Sequence, residues 1–195
     1  MAFVKIEREG KGGNMCGGFL IREDVVVTAA HCNCNLGNIS VLLGAHNFAI
    51  DELGRQKIWL WNKAEMTQTV GTIPLSQEKV KKGAVCSVAG WGQTSIKTNA
   101  QPSPTLQEVE LTVMGKCMCL SRPILHYVPS RMLCVGDPQE RKAPFLGDSG
   151  GPLVCDGKAQ GIVSHGTGDW STPSVFTRLS KYACWIKKTL RKLKP

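Results

Sequence analysis

The chain has 195 residues, 42% of them hydrophobic, and a formal net charge of +9 from 24 basic and 15 acidic side chains. That length and apolar content support a buried core, organised as one large or two small domains, and exclude a disordered chain. No apolar run is long enough to span a membrane, and no nucleic-acid reader motif accompanies the positive charge.

In chain order, Met1-Ala2-Phe3-Val4-Lys5-Ile6 reads as an initiator methionine leading into a strand, and segments 16–21, 25–28 and 39–43 read as further strands. Asn38-Ile39-Ser40 is a glycosylation sequon with Asn38 as its acceptor in a secreted context. The pattern then breaks: Arg55-Gln56-Lys57-Ile58-Trp59-Leu60-Trp61-Asn62-Lys63 runs straight into Thr69-Val70-Gly71-Thr72-Ile73-Pro74-Leu75. Strand patterns resume at 85–89, 109–113, 132–135, 152–155, 161–164 and 175–178, and 95–104 is a polar, proline-containing loop. Abundant glycine, few aromatics and short alternating runs between turn signals point to an all-β barrel or sandwich without internal repeats. The end differs. Tyr182, Trp185, Ile186, Leu190 and Leu193 recur at helical spacing, with Lys181, Lys187, Lys188, Arg191, Lys192 and Lys194 on the other faces. Such a helix serves either solubility or the binding of a polyanion.

Two stretches carry chemistry. In Gly147-Asp148-Ser149-Gly150-Gly151-Pro152, glycine permits backbone conformations that other residues resist. Gly147 and Gly150 can therefore hold Ser149 at a tight turn whose amides point the same way as its hydroxyl. Taken alone, the stretch fits a plain turn before a strand equally well. Val27-Thr28-Ala29-Ala30-His31-Cys32 breaks the tie by supplying a histidine after a β-branched run. With Leu43-Gly44-Ala45-His46-Asn47, Val88-Ala89-Gly90-Trp91-Gly92, Thr105-Leu106-Gln107-Glu108-Val109 and Cys134-Val135-Gly136-Asp137, nearly the whole chain resembles the chymotrypsin-like serine peptidases. The branch it is most similar to is that of granzymes, mast-cell chymases and cathepsin G. Histidine first and serine last is the order of that family.

The resemblance implies one peptidase domain over 1–195: an incomplete first antiparallel barrel over 1–80, a second six-stranded barrel over 81–178 and a basic helix over 179–195. It implies Ser149 as nucleophile, His31 as general base and acid, and the Gly147 and Ser149 amides as the oxyanion hole. This chemistry needs no cofactor and no metal. The spacing of His31-Cys32-Asn33-Cys34 and Cys117-Met118-Cys119 also fits no standard zinc finger. The implied disulfides are Cys16 with Cys32, Cys86 with Cys155 and Cys119 with Cys134. Cys34, Cys117 and Cys184 are left over, and an odd total of nine leaves at least one thiol free or intermolecular. By the same resemblance the specificity pocket has Ala143 at its base, Gly166 on one wall and Ser174 near the back, which favours apolar or aromatic substrate side chains. His46, His126 and His165 are expected to be structural.

Protein or peptide substrates follow, together with secretion or granule storage and retention on sulfated proteoglycan through the terminal helix. The other reading is a non-catalytic, cationic homologue that binds heparin-like polymers or microbial surfaces. Neither involves nucleic acid or a membrane span. The chain departs from the family where an Asn-Asp-Ile-Met-Leu-Leu or His-Asp-Ile-Met-Leu-Leu motif is expected. The aspartate that orients the histidine is missing there, with a strand of the first barrel. Asp51 lies in a polar turn and reads as a solvated charge. Asp148 matches the aspartate that pairs with a freed N-terminal amine; with that amine expected to be missing, the oxyanion hole is expected to stay unformed, and with the triad aspartate missing too the chain is expected to be inactive or very weak as a protease. Ser164, which helps hold the missing aspartate, is expected to face a gap. The signal peptide, activation dipeptide and Ile-Ile-Gly-Gly start of the family are also expected to be absent.

Overall fold

A computed structural model describes residues 1–8, 11–34, 37–59, 62–95, 100–137, 139, 142–167 and 172–193; for Arg8, Lys11 and Gly12 only the backbone is described. The expected loop over 95–104 falls partly outside these residues, as do Leu60, Trp61 and Lys194.

The first half is built from β1 (Ala2–Arg8), β2 (Lys11–Arg22), β3 (Val25–Val27), β4 (Asn38–Leu43) and β5 (Gln56–Trp59). They form an antiparallel sheet in the order β3-β2-β1-β4-β5. Alternation along β1 sends Val4 and Ile6 inward while Lys5 stays in solvent, so one face gathers an apolar core. The sheet is open: β3 pairs only with β2 and β5 only with β4 among the described residues. Instead of continuing as a strand, the chain beyond β5 crosses the opening. The Ala64 N–H donates to Glu23 O at 2.7 Å and the Ile73 N–H to Leu20 O at 2.9 Å. Ala64 and Val70 pack onto Ala2, Leu20 and Leu43 and stop up the core.

The second half is a closed barrel of six strands, β6 (Val85–Gly90), β7 (Gln107–Val113), β8 (Met132–Gly136), β9 (Pro152–Cys155), β10 (Lys158–His165) and β11 (Ser174–Arg178). Closure removes every free edge, and Leu111, Leu133, Val135, Leu153 and Phe176 fill the interior. The expected strands appear within a residue or a few of their sequence positions. Two helices follow separate logic. The α1 helix (Lys116–Leu120) spans five residues, too few for a periodic signal, and was not expected. The α2 helix (Ala183–Lys192) buries Ile186 and leaves Lys187, Lys188, Arg191 and Lys192 exposed.

The three implied disulfides form: Cys16–Cys32, Cys86–Cys155 and Cys119–Cys134. Each restrains the unfolded chain, a contribution of about 2–4 kcal/mol where the native geometry is unstrained. Cys34, Cys117 and Cys184 are free and exposed. The halves meet around Trp91, which is 2% exposed and donates its indole N–H to His46 O at 3.0 Å. Phe3 packs edge-on against Trp91 and stacks on Phe48. His46 O also accepts the Leu106 N–H at 2.7 Å, so three of the short sequence motifs converge on one junction.

Candidate active site

Ser149 sits between two glycines in the left-handed region, Gly147 at φ +101° and Gly150 at φ +88°. A side chain at Gly150 is excluded twice: by its φ, and because a Cβ there would meet Thr28 Oγ1 at 2.2 Å and Gly17 O at 2.4 Å. The turn is pinned by the Gly150 N–H on Val163 O at 2.9 Å and the Gly151 N–H on Asp148 O at 3.0 Å. The Gly147 and Ser149 N–H groups have no acceptor among the described residues. Two free donors beside a serine can receive the charge that develops on a carbonyl oxygen under attack.

His31 lies on a short 3-10 turn (Ala30–Asn33) directly after β3. Its neighbour Cys32 is buried and bonded to Cys16 on β2, and Cys32 Sγ lies 3.8 Å from Ser149 O. The disulfide thereby sets the histidine turn against the serine turn. His31 is exposed, and no hydrogen bond fixes its imidazole among the described residues. Partial desolvation, and secondarily the charge of His165, hold its pKa below the ordinary histidine value. A neutral imidazole is the form that can accept a proton.

Ser164 lines an open cavity of about 660 Å³ that His31 also lines, as expected of a residue facing a gap. Its hydroxyl lies 3.0 Å from His165 Nδ1, while His165 Nε2 lies 3.0 Å from Leu125 O. A carbonyl only accepts, so Nε2 carries a proton, and when the ring is neutral the Ser164 hydroxyl donates to Nδ1. Successive strand residues ordinarily point to opposite faces; a register shift between Val163 and His165 brings these two side chains together.

The Asp148 carboxylate is buried beneath the turn. Oδ1 accepts the Gly92 N–H at 2.8 Å and Oδ2 accepts the Phe145 N–H at 2.9 Å. Burial raises its pKa, and the two backbone donors offset part of that rise. Asp51 is far more exposed and pairs with Arg55 at 2.9 Å, a solvated charge as its sequence context indicates.

A cavity of about 260 Å³ beside Ser149 is lined by Phe145, Val163, His165, Gly166 and Ser174 among others, and no carboxylate lines it among the described residues. Gly166 and Ser174 adjoin, since a Cβ on Gly166 would lie 3.3 Å from Ser174 Oγ. Ala143 is not in this cavity. It lines a neighbouring one of about 210 Å³ with Lys142 and Asp148, and Pro144 and Phe145 lie between the two and line both. Asn38, at the start of β4, is exposed.

A family model described as Trypsin matches residues 1–60 and 58–186, which is most of the chain. The chain belongs to the trypsin family. Mast cell protease 3 of Ovis aries is 46% identical over 220 aligned positions, covering 100% of this chain and 85% of that protein. Granzyme B of Rattus norvegicus is 42% identical over 217 positions, covering 98% and 86%. Among solved structures, one described as "Structure of GrC" superposes with a TM-score of 0.88 at 37% identity, covering 97% of this chain and 93% of its own. The trypsin-family match breaks and restarts at residues 58–60, at the end of β5, and the alignment to mast cell protease 3 is longer than this chain. The relatives therefore carry positions for which this trypsin-family chain has no residues.

One contributor to the site went unrecognised in the sequence. Gly17 donates its N–H to Ser149 O at 2.8 Å, and a Cβ on it would lie 3.0 Å from Gly151 Cα. The signal was the pair Gly17-Gly18 inside a strand, a mark of close backbone approach.

Proposed function

We propose that the chain is a serine endopeptidase of the granzyme and chymase type whose acyl transfer runs through Ser149 and His31 at a strongly reduced rate. Ser149 attacks a peptide carbonyl, His31 takes its proton and returns it to the leaving amine, and the Gly147 and Ser149 N–H groups stabilise the oxyanion. The observation that carries the reading is this pair of free donors on a turn fixed by two left-handed glycines. The reduced rate follows from His31, whose ring has no orienting partner among the described residues. In triads of this kind, replacing the carboxylate lowers turnover about 10⁴-fold, or roughly 5.5 kcal/mol of barrier, because the imidazole is held in the wrong tautomer. Substrates are proteins or peptides with an apolar or aromatic side chain for the uncharged pocket. Three disulfides support an oxidising compartment, and secretion or granule storage fits relatives named mast cell protease.

The experiment expresses residues 1–195 under oxidising conditions and adds a serine-directed phosphonate. Ser149 is expected to be labelled about 10⁴-fold more slowly than the serine of an active relative, and Ser149→Ala to abolish labelling. Labelling at the relative's rate refutes the assigned deficit; labelling unaffected by Ser149→Ala refutes the nucleophile. The exposed cationic face of α2 favours a second reading, a homologue with little turnover that binds sulfated polymers or microbial surfaces.

A further inference from the structure

The two halves of the molecule differ in closure. The second closes with six strands, whereas the first has five among the described residues and leaves β3 and β5 each with an edge unpaired there. A free, β-branched edge such as Val25-Val26-Val27 is a template for another strand. Beside it lies the largest cavity described, an open groove of about 660 Å³ between β3, the His31 turn and α2. Its walls include Val25, Val27, Ile162, Trp185, Ile186 and Leu190. Trp185 is 65% exposed, an unusual state for so large an apolar side chain on an inward-facing helix stripe.

The far wall is held in place independently of any occupant. The Arg22 guanidinium, at the end of β2, donates to Leu190 O at 3.0 Å and to Leu193 O at 3.1 Å, capping the last carbonyls of α2. Asp24 pairs with the same guanidinium and keeps it in position. The groove is therefore a standing feature, with one edge rich in backbone donors and acceptors and one apolar wall. That combination fits an extended peptide that adds a strand and lays alternate apolar side chains onto a helix.

The family match breaks at residues 58–60, at the end of β5 and so at the other edge of the same sheet, and the alignment to mast cell protease 3 is longer than this chain. Ala64 and Val70 stop up the core of the open sheet but supply no strand to β3. We infer that the groove between β3 and α2 is a strand-acceptor site that binds an extended, apolar peptide segment in trans, pairing it with β3 and seating it against Trp185, Ile186 and Leu190. This goes beyond the serine-peptidase reading and does not depend on it, since occupancy needs neither Ser149 nor its chemistry.

The test uses the full chain, disulfides formed, with a fluorescently labelled synthetic peptide copied from the residues of mast cell protease 3 of Ovis aries that lie opposite the break at the end of β5. A scrambled peptide is the control. Saturable binding is expected by anisotropy, with a blue shift of tryptophan emission on adding the unlabelled peptide, and Trp185→Phe is expected to bind while losing that shift. Trp185→Glu places a charge on an exposed position, folds normally by circular dichroism, and is expected to weaken binding at least about tenfold. Equal binding of the scrambled peptide, absence of saturable binding, or unchanged affinity in Trp185→Glu overturns the proposal. So does self-association that Trp185→Glu abolishes in the absence of any peptide binding, which would make a second copy the occupant.

Discussion

The Gly17 amide donates across the junction of the two halves to the Ser149 carbonyl at 2.8 Å. This bond, with the Cys16–Cys32 disulfide next to it, makes the position of the serine turn a property of the first half as well as the second. The open sheet and the site are thus mechanically joined.

Substitution at this junction should be felt in both. A Cβ on Gly17 meets Gly151 N and Cα at 3.0 Å, which is backbone and cannot swing aside. Gly17→Ala is expected to destabilise by about 1–3 kcal/mol and to slow phosphonate labelling of Ser149. Gly71→Ala is the contrast: a Cβ there meets nothing within 4 Å, so a gain of about 0.4–1 kcal/mol is expected. Urea midpoints of the two variants decide it, and a Gly17→Ala midpoint equal to wild type would show that the junction yields.

His31 gives a pH prediction. Its folded pKa lies below the ordinary value of about 6.5, with desolvation as the larger cause and His165 as the smaller. Between the two values the unfolded chain binds more protons than the native one. Stability is therefore lost as pH falls from about 6.5 through the folded pKa, and this contribution is constant above that window. Titration of the His31 ring by NMR should show the depressed value, and His165→Gln should recover part of it. A His31 that titrates at or above the ordinary value contradicts this account.

Asp148 behaves with the opposite sign in a more acidic window. Burial raises its pKa above the unfolded value, so its contribution to stability is fully present below about pH 3.9 and is lost as pH rises through the folded pKa. Asp148→Asn removes the titration while keeping the shape, at the cost of one acceptor for Gly92 or Phe145. The stability difference between wild type and Asp148→Asn should therefore shift against wild type as pH rises through this window. A difference independent of pH between about 3 and 7 would mean that the two backbone donors cancel the burial penalty.

The cationic face of α2 is the basis of the second functional reading. Lys188, Arg191 and Lys192 are exposed and lie outside the Arg22 cap that anchors the helix, so neutralising them leaves the packing of Ile186 intact. The triple substitution to glutamine is expected to lower the salt needed for elution from heparin, with little change in thermal midpoint. An unchanged elution point assigns polyanion binding, if any, to another surface.

Much of this architecture was legible in the sequence because the residues that encode it meet special backbone or packing demands. Gly147 and Gly150 announce the serine turn through their positive φ, and Trp91, His46 and Leu106 mark the junction because one indole and one carbonyl organise it. The strands of the closed barrel follow from alternation. Other features lacked a local signal. The Ala64 and Val70 plug has no period, since it crosses the opening instead of pairing along it. The Ser164–His165 contact depends on a strand irregularity that composition does not reveal. Ala143 was expected at the base of the pocket by its position relative to Ser149, whereas it lines the neighbouring cavity that shares Pro144 and Phe145 with the one beside the serine.

The placement of Ala143 bears on specificity. With Ala143 in a different cavity, the groups that define the pocket beside Ser149 are Phe145, Val163, Gly166 and the buried Ser174, joined at the rim by His165. None supplies a carboxylate, so an arginine or lysine side chain would lose its hydration without gaining a counter-charge, whereas an apolar ring gains by leaving water. Gly166 is the narrow point, because a Cβ there already comes within 3.3 Å of Ser174 Oγ and a branched side chain would fill the space between them. Phosphonates bearing a phenylalanine-like side chain are expected to label Ser149 at least tenfold faster than arginine-like ones, in keeping with roughly 1–3 kcal/mol of pocket discrimination. Gly166→Val should erase that preference by slowing the aromatic probe, while Ala143→Val, outside the pocket, should leave it unchanged. Loss of the aromatic preference in Ala143→Val, with Gly166→Val silent, would return Ala143 to the pocket and remove Gly166 from it.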